Sequence, residues 1–122
     1  NRVRADGQPR ALQIEQALQV IDFEAAPVVA QEPISVAEVE GVERLLECDK
    51  FILDRCGFQG QQRVGGDGQF HLVVVLQGQV MVDSDPSQLP LQMGQTCLIP
   101  AGLGPIQLAA DGPVTLLDIY LP

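Results

Sequence analysis

The sequence is poor in basic residues and in long apolar runs. It has 7 Lys and Arg against 16 Asp and Glu, which gives a formal net charge of −9 at pH 7. Nucleic acids and anionic membranes both attract clustered positive charge, so this balance disfavours either as a partner. The longest wholly apolar run, residues 72–76, is too short to span a bilayer. The N-terminus shows no apolar segment typical of a secretory signal, so we expect a cytoplasmic protein.

Cysteine is scarce and irregularly spaced. Cys48, Cys56 and Cys97 are odd in number and show no C-x-x-C pair. This favours a reduced, cytosolic setting over a secreted disulfide scaffold. Cys48 and Cys56 could meet across adjacent strands, although free thiols that act as small apolar side chains are the simpler expectation.

Histidine occurs once, as His71. A zinc site takes three or four ligands, so this residue could supply only one of them. Asp67 and Cys97 are conceivable helpers, but nothing in their spacing selects them. The simpler expectation is a strand histidine that is hydrogen-bonded to backbone or faces solvent. With one histidine, no Ser/His/Asp or Cys/His catalytic constellation can be argued.

The chain divides near residue 40. Its 122 residues, 46% of them hydrophobic, suffice for one domain with a buried core. Apolar residues at roughly helical spacing follow Pro9 and predict a helix over about 10–20. Residues 22–40 indicate an extended connector with a covering or linking role, so we assign 1–40 to a helix-containing arm. The absence of an initiator Met likewise predicts a fragment of a longer protein.

Residues 41–122 carry β-strand patterns. About eight short strands at close spacing predict an all-β sandwich or barrel. A glycine-rich, polar loop is expected over 59–69, between the second and third of these strands. The predicted strands lie around 42–46, 51–58, 70–77, 80–82, 90–93, 96–99, 105–108 and 114–121.

Residues 94–102, Gly-Gln-Thr-Cys-Leu-Ile-Pro-Ala-Gly, have the turn–strand–turn spacing of the second motif of a cupin barrel. In metal-binding cupins a histidine follows three residues after the last glycine, and here that position is Pro105, which cannot bind a metal. The first cupin motif ends in an acid, six residues and a glycine. Gly78 fits that glycine, but His71 stands at the acid position, and the expected His-x-His would fall within 64–68, which holds no histidine.

Arg2, Arg4 and Arg10 form the one basic cluster. Arginines beside a glycine turn and a helix start could hold a phosphate. Solvated charges that offset an acidic protein are the alternative.

The N-terminal segment resembles class I mannose-6-phosphate isomerases of the short bacterial type. Residues 6–12, Asp-Gly-Gln-Pro-Arg-Ala-Leu, are similar to that family's "dGkpReLHi" turn, with Gln13 in place of the histidine. Residues 48–51 and 98–101, together with Gly78, are similar to steps in the family's C-terminal region. The resemblance implies a cupin-like double-stranded β-helix, or jelly-roll barrel, with a short N-terminal helix.

The resemblance also implies a function. Members of the family bind one zinc in an N-terminal cupin half and interconvert mannose 6-phosphate and fructose 6-phosphate by proton transfer through an enediol. This chain would be the C-terminal cupin domain, with no metal ligands and no bound cofactor of its own. Residues 1–40 would connect it to the missing catalytic half. The resemblance implies that the family's catalytic arginine lies upstream of Asn1, with Arg2 as the weaker match to that role, and that Arg10 matches a supporting position.

Two other functions stay open. One is a free-standing, metal-free cupin that binds a sugar or a small regulator in its barrel mouth. The other is a structural interaction module that self-associates through apolar surface normally covered by the rest of a longer protein.

Overall fold

The structure, a computed structural model, describes residues 7–8, 12–25, 27, 29–37 and 39–122. It forms two compact units, residues 1–30 and residues 31–122. In the first unit, helix α1 spans Ile14–Val20 and none of its residues is buried. The helix lies inside the predicted range of 10–20, of which residues 10 and 11 fall outside the described part of the chain. No helix among the described residues is long and apolar enough to cross a membrane.

The described residues of the second unit form eight strands, which confirms the all-β expectation. One of them, at 34–35, lies within the predicted extended connector. The strands are β1 (Ile34–Ser35), β2 (Val42–Glu47), β3 (Ile52–Val64), β4 (His71–Gln77), β5 (Gln79–Val82), β6 (Leu91–Gln92), β7 (Thr96–Ile99) and β8 (Ile106–Tyr120). Most of them pair in one antiparallel sheet with the order β1-β2-β3-β8-β4-β7, and β5 pairs with both β8 and β6.

Strands β3 and β8 are longer than the sequence predicts. The expected loop over 59–69 starts only at Gly65, because residues 60–64 pair with 106–110 of β8. The two strands predicted over 105–108 and 114–121 are likewise one strand, β8. Cross-strand hydrogen bonds on this long pair therefore outweigh the low strand propensity of glycine. The register shifts between Phe58 and Gly60, which fits a bulge in the extended strand.

The core lies on the inner face of the curved sheet. Inward and outward residues alternate along β4, where Val73 and Val75 are fully buried and Leu72 and Val74 are half-buried. The fully buried side chains of Leu108 and Leu116 come from β8, which runs through the middle of the sheet. Burying one such side chain contributes about 1.5–3 kcal/mol. The inner face is thus apolar for most of its length and polar only at the end described next.

Candidate functional site

Three polar residues, Asp54, His71 and Asp118, are buried on the inner face of the sheet. They come from the adjacent strands β3, β4 and β8. Asp54 lies opposite Asp118, and His71 lies opposite Tyr120. Together with apolar side chains of the β1–β2 region, these residues line a cavity of about 200 Å³. The sheet register therefore gathers polar side chains that are far apart in the sequence at one end of the barrel.

His71 is held by carboxylates at both ring nitrogens. Its Nδ1 lies 2.8 and 3.0 Å from the two oxygens of Asp118, and its Nε2 lies 3.2 and 3.3 Å from those of Asp67. The ring also stacks on Tyr120, with centroids 4.7 Å apart and an interplanar angle of 21°. Both nitrogens can donate at once only in the imidazolium form. The geometry thus fixes the ring between two acids, with one ring nitrogen facing each.

The pKa values of Asp118 and Asp67 are shifted in opposite directions. Burial raises the pKa of Asp118, and the hydrogen bond and positive charge of His71 counter only part of that rise. For Asp67, burial also opposes ionisation, but the hydrogen bonds from the backbone of Gln69 and from His71 together lower its pKa. Asp67 is half exposed, whereas Asp118 is buried. The charged form of Asp118, the buried acid, therefore depends more on His71 than that of Asp67 does.

A second group of hydrogen bonds adjoins the first through Tyr120. The Nε of Arg44 donates to Asp54 at 3.0 Å, and its Nη2 donates to the Tyr120 hydroxyl at 2.9 Å. The hydroxyl in turn donates to Asp54 at 2.8 Å. Burial and this bond to Asp54 raise the pKa of Tyr120 to about 12. The hydrogen bond to Asp54 also raises the pKa of Arg44, so the phenol stays protonated and the guanidinium stays charged at neutral pH.

The two hydrogen-bonded groups form one polar cluster, made of Arg44, Asp54, Asp67, His71, Asp118 and Tyr120. Among the described residues, no buried side-chain nitrogen or oxygen is without a hydrogen-bond partner. Cys56 also lines the cavity, and burial, together with the charges of Asp118 and Asp54, raises the pKa of its thiol to about 12. A neutral, buried thiol is a poor nucleophile. The arrangement is therefore suited to fixing the strands in register, with each polar group already satisfied by its neighbours.

The cupin motif positions meet beside this cluster but do not fit a metal. A Cβ on Gly66, in the segment where a His-x-His was sought, would lie 2.9 Å from the ring of Pro105, which stands at the other histidine position. His71 has both nitrogens engaged by carboxylates. In the described part of the chain, no three His, Cys, Asp or Glu side chains converge to hold a metal ion. A zinc ion thus finds no ligand set among these residues.

The structure places some of the residues that the sequence predicts for the site, and others lie outside its described part. Arg2 and Arg10, the candidate catalytic arginines, lie outside the described residues, as does Arg4. The expectation that His71 bonds to backbone or solvent is wrong, because the ring is buried between two side-chain carboxylates. Asp67 is one of those partners, whereas Cys97 lies opposite Val73 on the neighbouring strand.

Cys48 and Cys56 do not pair. Both thiols are free, as is that of Cys97. The register explains the separation, because Cys56 lies opposite Val42 at the start of β2, whereas Cys48 follows the end of that strand. The expectation of free thiols is therefore the one that the structure supports.

The fold is that of a cupin, which its likeness to solved structures makes plain. A cupin-2 domain protein from Shewanella frigidimarina shares 12% identity and a TM-score of 0.55, over 91% of this chain and 94% of that one. A sugar phosphate isomerase of the cupin superfamily from Silicibacter pomeroyi shares 19% identity and a TM-score of 0.53, over 68% of this chain and 60% of that one. At these identities the likeness concerns the fold.

The particular family follows from the sequence itself. Residues 42–118 match the family described as mannose-6-phosphate isomerase, cupin domain, and the chain belongs to that family. The mannose 6-phosphate isomerase of Bacillus subtilis matches over 98% of this chain with a TM-score of 0.68 and 18% identity. The chain spans only 38% of the length of that enzyme. A search among curated proteins finds no match.

Proposed function

We propose that this chain is a non-catalytic C-terminal cupin domain of a longer, class I mannose-6-phosphate isomerase. The parent enzyme would interconvert mannose 6-phosphate and fructose 6-phosphate with a zinc ion held in its N-terminal half. The observation that carries the proposal is the contact of Gly66 with Pro105. It fills the place where metal-binding cupins keep their histidines, so metal chemistry would belong elsewhere in the enzyme.

Two further observations support a domain of a larger enzyme. The family match is to a domain of the isomerase, and this chain spans 38% of the Bacillus subtilis enzyme. In such an enzyme Arg2 and Arg10 would lie towards the catalytic half, where we expect them to assist in binding the sugar phosphate. The parent would be cytoplasmic, and this domain would act by supporting the catalytic half.

The zinc content of the purified 122-residue chain tests the proposal. After incubation with zinc and desalting, we expect far less than one metal ion per chain, because the described residues offer no three-ligand site. One tightly bound zinc per chain would refute the assignment of this domain as non-metallic. For the full-length protein we expect isomerase activity that a chelator abolishes and added zinc restores.

A free-standing, metal-free cupin that binds a sugar is the second candidate. It is favoured by the likeness to the cupin-2 domain containing protein from Shewanella frigidimarina, of which this chain covers 94%. Against it, the cavity of about 200 Å³ at the polar cluster is small compared with the roughly 300–1,000 Å³ of typical ligand sites. Titration of the chain with hexoses and hexose phosphates by NMR separates the two candidates, since only this one predicts saturable shifts around His71.

A further inference from the structure

The cavity of about 200 Å³ beside the polar cluster has walls of two kinds. Most of its lining residues, including Cys56, lie on the paired strands β2, β3, β4 and β8. The others belong to two loops: Val36 and Val39 to a turn before β2, and Gly65 and Asp67 to residues 65–69, which we call the glycine loop. Displacing a paired strand breaks several hydrogen bonds at once, so a loop is the easier way into the cavity.

The two loops differ in how firmly they are held. In the turn before β2, the N–H of Val39 donates to the carbonyl of Val36, that of Val42 donates to Val39, and that of Val36 donates to Val42. In the described part of the chain and outside the strand pairs, no backbone–backbone hydrogen bond involves residues 65–69. The glycine loop is therefore the less constrained of the two.

Asp67 is the residue that ties the glycine loop to the barrel. Its carboxylate accepts from the N–H of Gln69 at 2.9 Å within the loop, and its oxygens lie 3.2 and 3.3 Å from Nε2 of His71. The carboxylate of Asp118 lies closer to the same ring, at 2.8 and 3.0 Å from Nδ1. The side chain of Asp67 is also 45% exposed. Water therefore competes for the contact with Asp67 more easily than for the buried one with Asp118.

The glycine loop also has residues that can act as hinges. Gly65, Gly66 and Gly68 have φ values of +74°, +92° and +84°, in a region that glycine enters and leaves without a steric penalty. Nothing lies within 4 Å of a Cβ placed on Gly68, so the loop has open space on this side. Small residues that flank a loop and absorb a change in φ and ψ are typical of hinged closures.

We propose that the glycine loop is a lid over the cavity, hinged at its glycines and held shut by the contact of Asp67 with His71. When that contact breaks, the loop swings outward and the cavity opens to solvent while the strands stay paired. Every buried polar side-chain atom among the described residues already has a partner, and burying an unpaired charge is costly. The lid would therefore admit small, uncharged molecules.

The thiol of Cys56 lines the cavity and reports on the lid. Methyl methanethiosulfonate, a small neutral reagent, is added to the purified chain, and the modification of Cys56 is followed by peptide mass spectrometry. We expect Asp67→Ala to react about ten- to a hundredfold faster than the wild type, the effect of losing one hydrogen bond to a charged group. Asp67→Asn keeps an acceptor for Gln69 but loses the charge, so it should react at an intermediate rate.

Asp111→Ala is the matched control, because Asp111 is an exposed acid that does not line the cavity. Its variant should react like the wild type. The charges that raise the pKa of Cys56 are those of Asp118 and Asp54, so removing Asp67 changes access to the thiol rather than its ionisation. A faster reaction in Asp67→Ala is therefore a measure of opening.

The dependence of the rate on urea separates the lid from unfolding of the whole domain. A local opening exposes little surface, so the rate should stay nearly constant at low urea, whereas global unfolding would make it rise with the full equilibrium slope. Equal rates in wild type and Asp67→Ala overturn the proposal. A rate that follows the full slope also overturns it, as does equal acceleration by Asp111→Ala. Since the lid requires neither zinc nor isomerase activity, its failure leaves the proposed function untouched.

Discussion

Replacing His71 by leucine should expose how strongly the buried acid depends on its histidine. The side chains of His71 and Asp118 are 6% and 11% exposed, and Nδ1 lies 2.8 Å from the nearer carboxylate oxygen. His71→Leu leaves Asp118 buried without that donor. Removing one partner of a buried ion pair is destabilising by about 3–5 kcal/mol, so we expect a loss of that size in the free energy of unfolding at neutral pH.

The loss in the free energy of unfolding caused by His71→Leu should become smaller as the pH falls. Burial already holds the pKa of Asp118 above its usual value, and in the variant the lowering effect of the histidine is gone, so the pKa moves further up. A carboxyl with a raised folded-state pKa binds more protons in the folded than in the unfolded chain at pH values between its two pKa values. Stability then rises as the pH falls through that window. Protonated Asp118 no longer requires a positive partner, which is why acid should partly rescue the variant.

Urea unfolding followed by circular dichroism at several pH values from neutral to mildly acid measures both effects. The control is a double-mutant cycle with Asp118→Asn, which removes the charge but keeps the shape. We expect the loss caused by His71→Leu to fall by about 1–3 kcal/mol when Asp118→Asn is already present. A loss under about 1 kcal/mol at neutral pH, or one that is the same at every pH, would contradict the buried ion pair.

Two further predictions concern backbone and thiol positions. Gly78→Ala should lower the free energy of unfolding by about 2–4 kcal/mol, because φ is +79° and a Cβ would lie 2.6 Å from the carbonyl oxygen of Pro113. Gly94→Ala, with φ +84° but nothing within 4 Å of the added Cβ, should lose only about 1 kcal/mol, and equal losses in urea unfolding would refute the role of the close contact. Cys56 should react with a disulfide reagent near neutral pH far more slowly than the other two thiols, because its pKa is raised to about 12. Three equal reaction rates in the native protein would argue against its burial.

The fold was largely predictable because its strands are encoded locally. Alternation of apolar and polar residues, turn residues such as those at 83–87, and the spacing of residues 94–102 each reflect short-range geometry. The extent of β3 was not predictable in this way. Residues 59–64 include three glutamines and one glycine, and they become a strand only because β8 offers a partner along its whole length.

The polar cluster was less predictable for a similar reason. His71 and Asp67 are four residues apart and could be linked from the sequence, but Asp118 lies 47 residues away from His71. The contact of Arg44 with Tyr120 spans 76 residues. Such contacts depend on the strand order, which places β8 between β3 and β4. A signal was nonetheless present, since a polar residue at an inward position of a strand has to find a partner.

The contact between Gly66 and Pro105 bears on how a metal site could be built at the cupin motif positions. Gly66 has φ +92°, a conformation that side chains rarely adopt, and its missing Cβ is what leaves room for the proline ring. A histidine placed at 66 alone would collide with that ring, and one placed at 105 alone would find no second ligand on the glycine loop. Each single substitution is therefore unfavourable or useless until the other is made. Building a ligand set at these positions would require simultaneous changes in both motifs and in the carboxylates around His71, so a metal site there would be difficult to acquire in single steps, by natural mutation or by design.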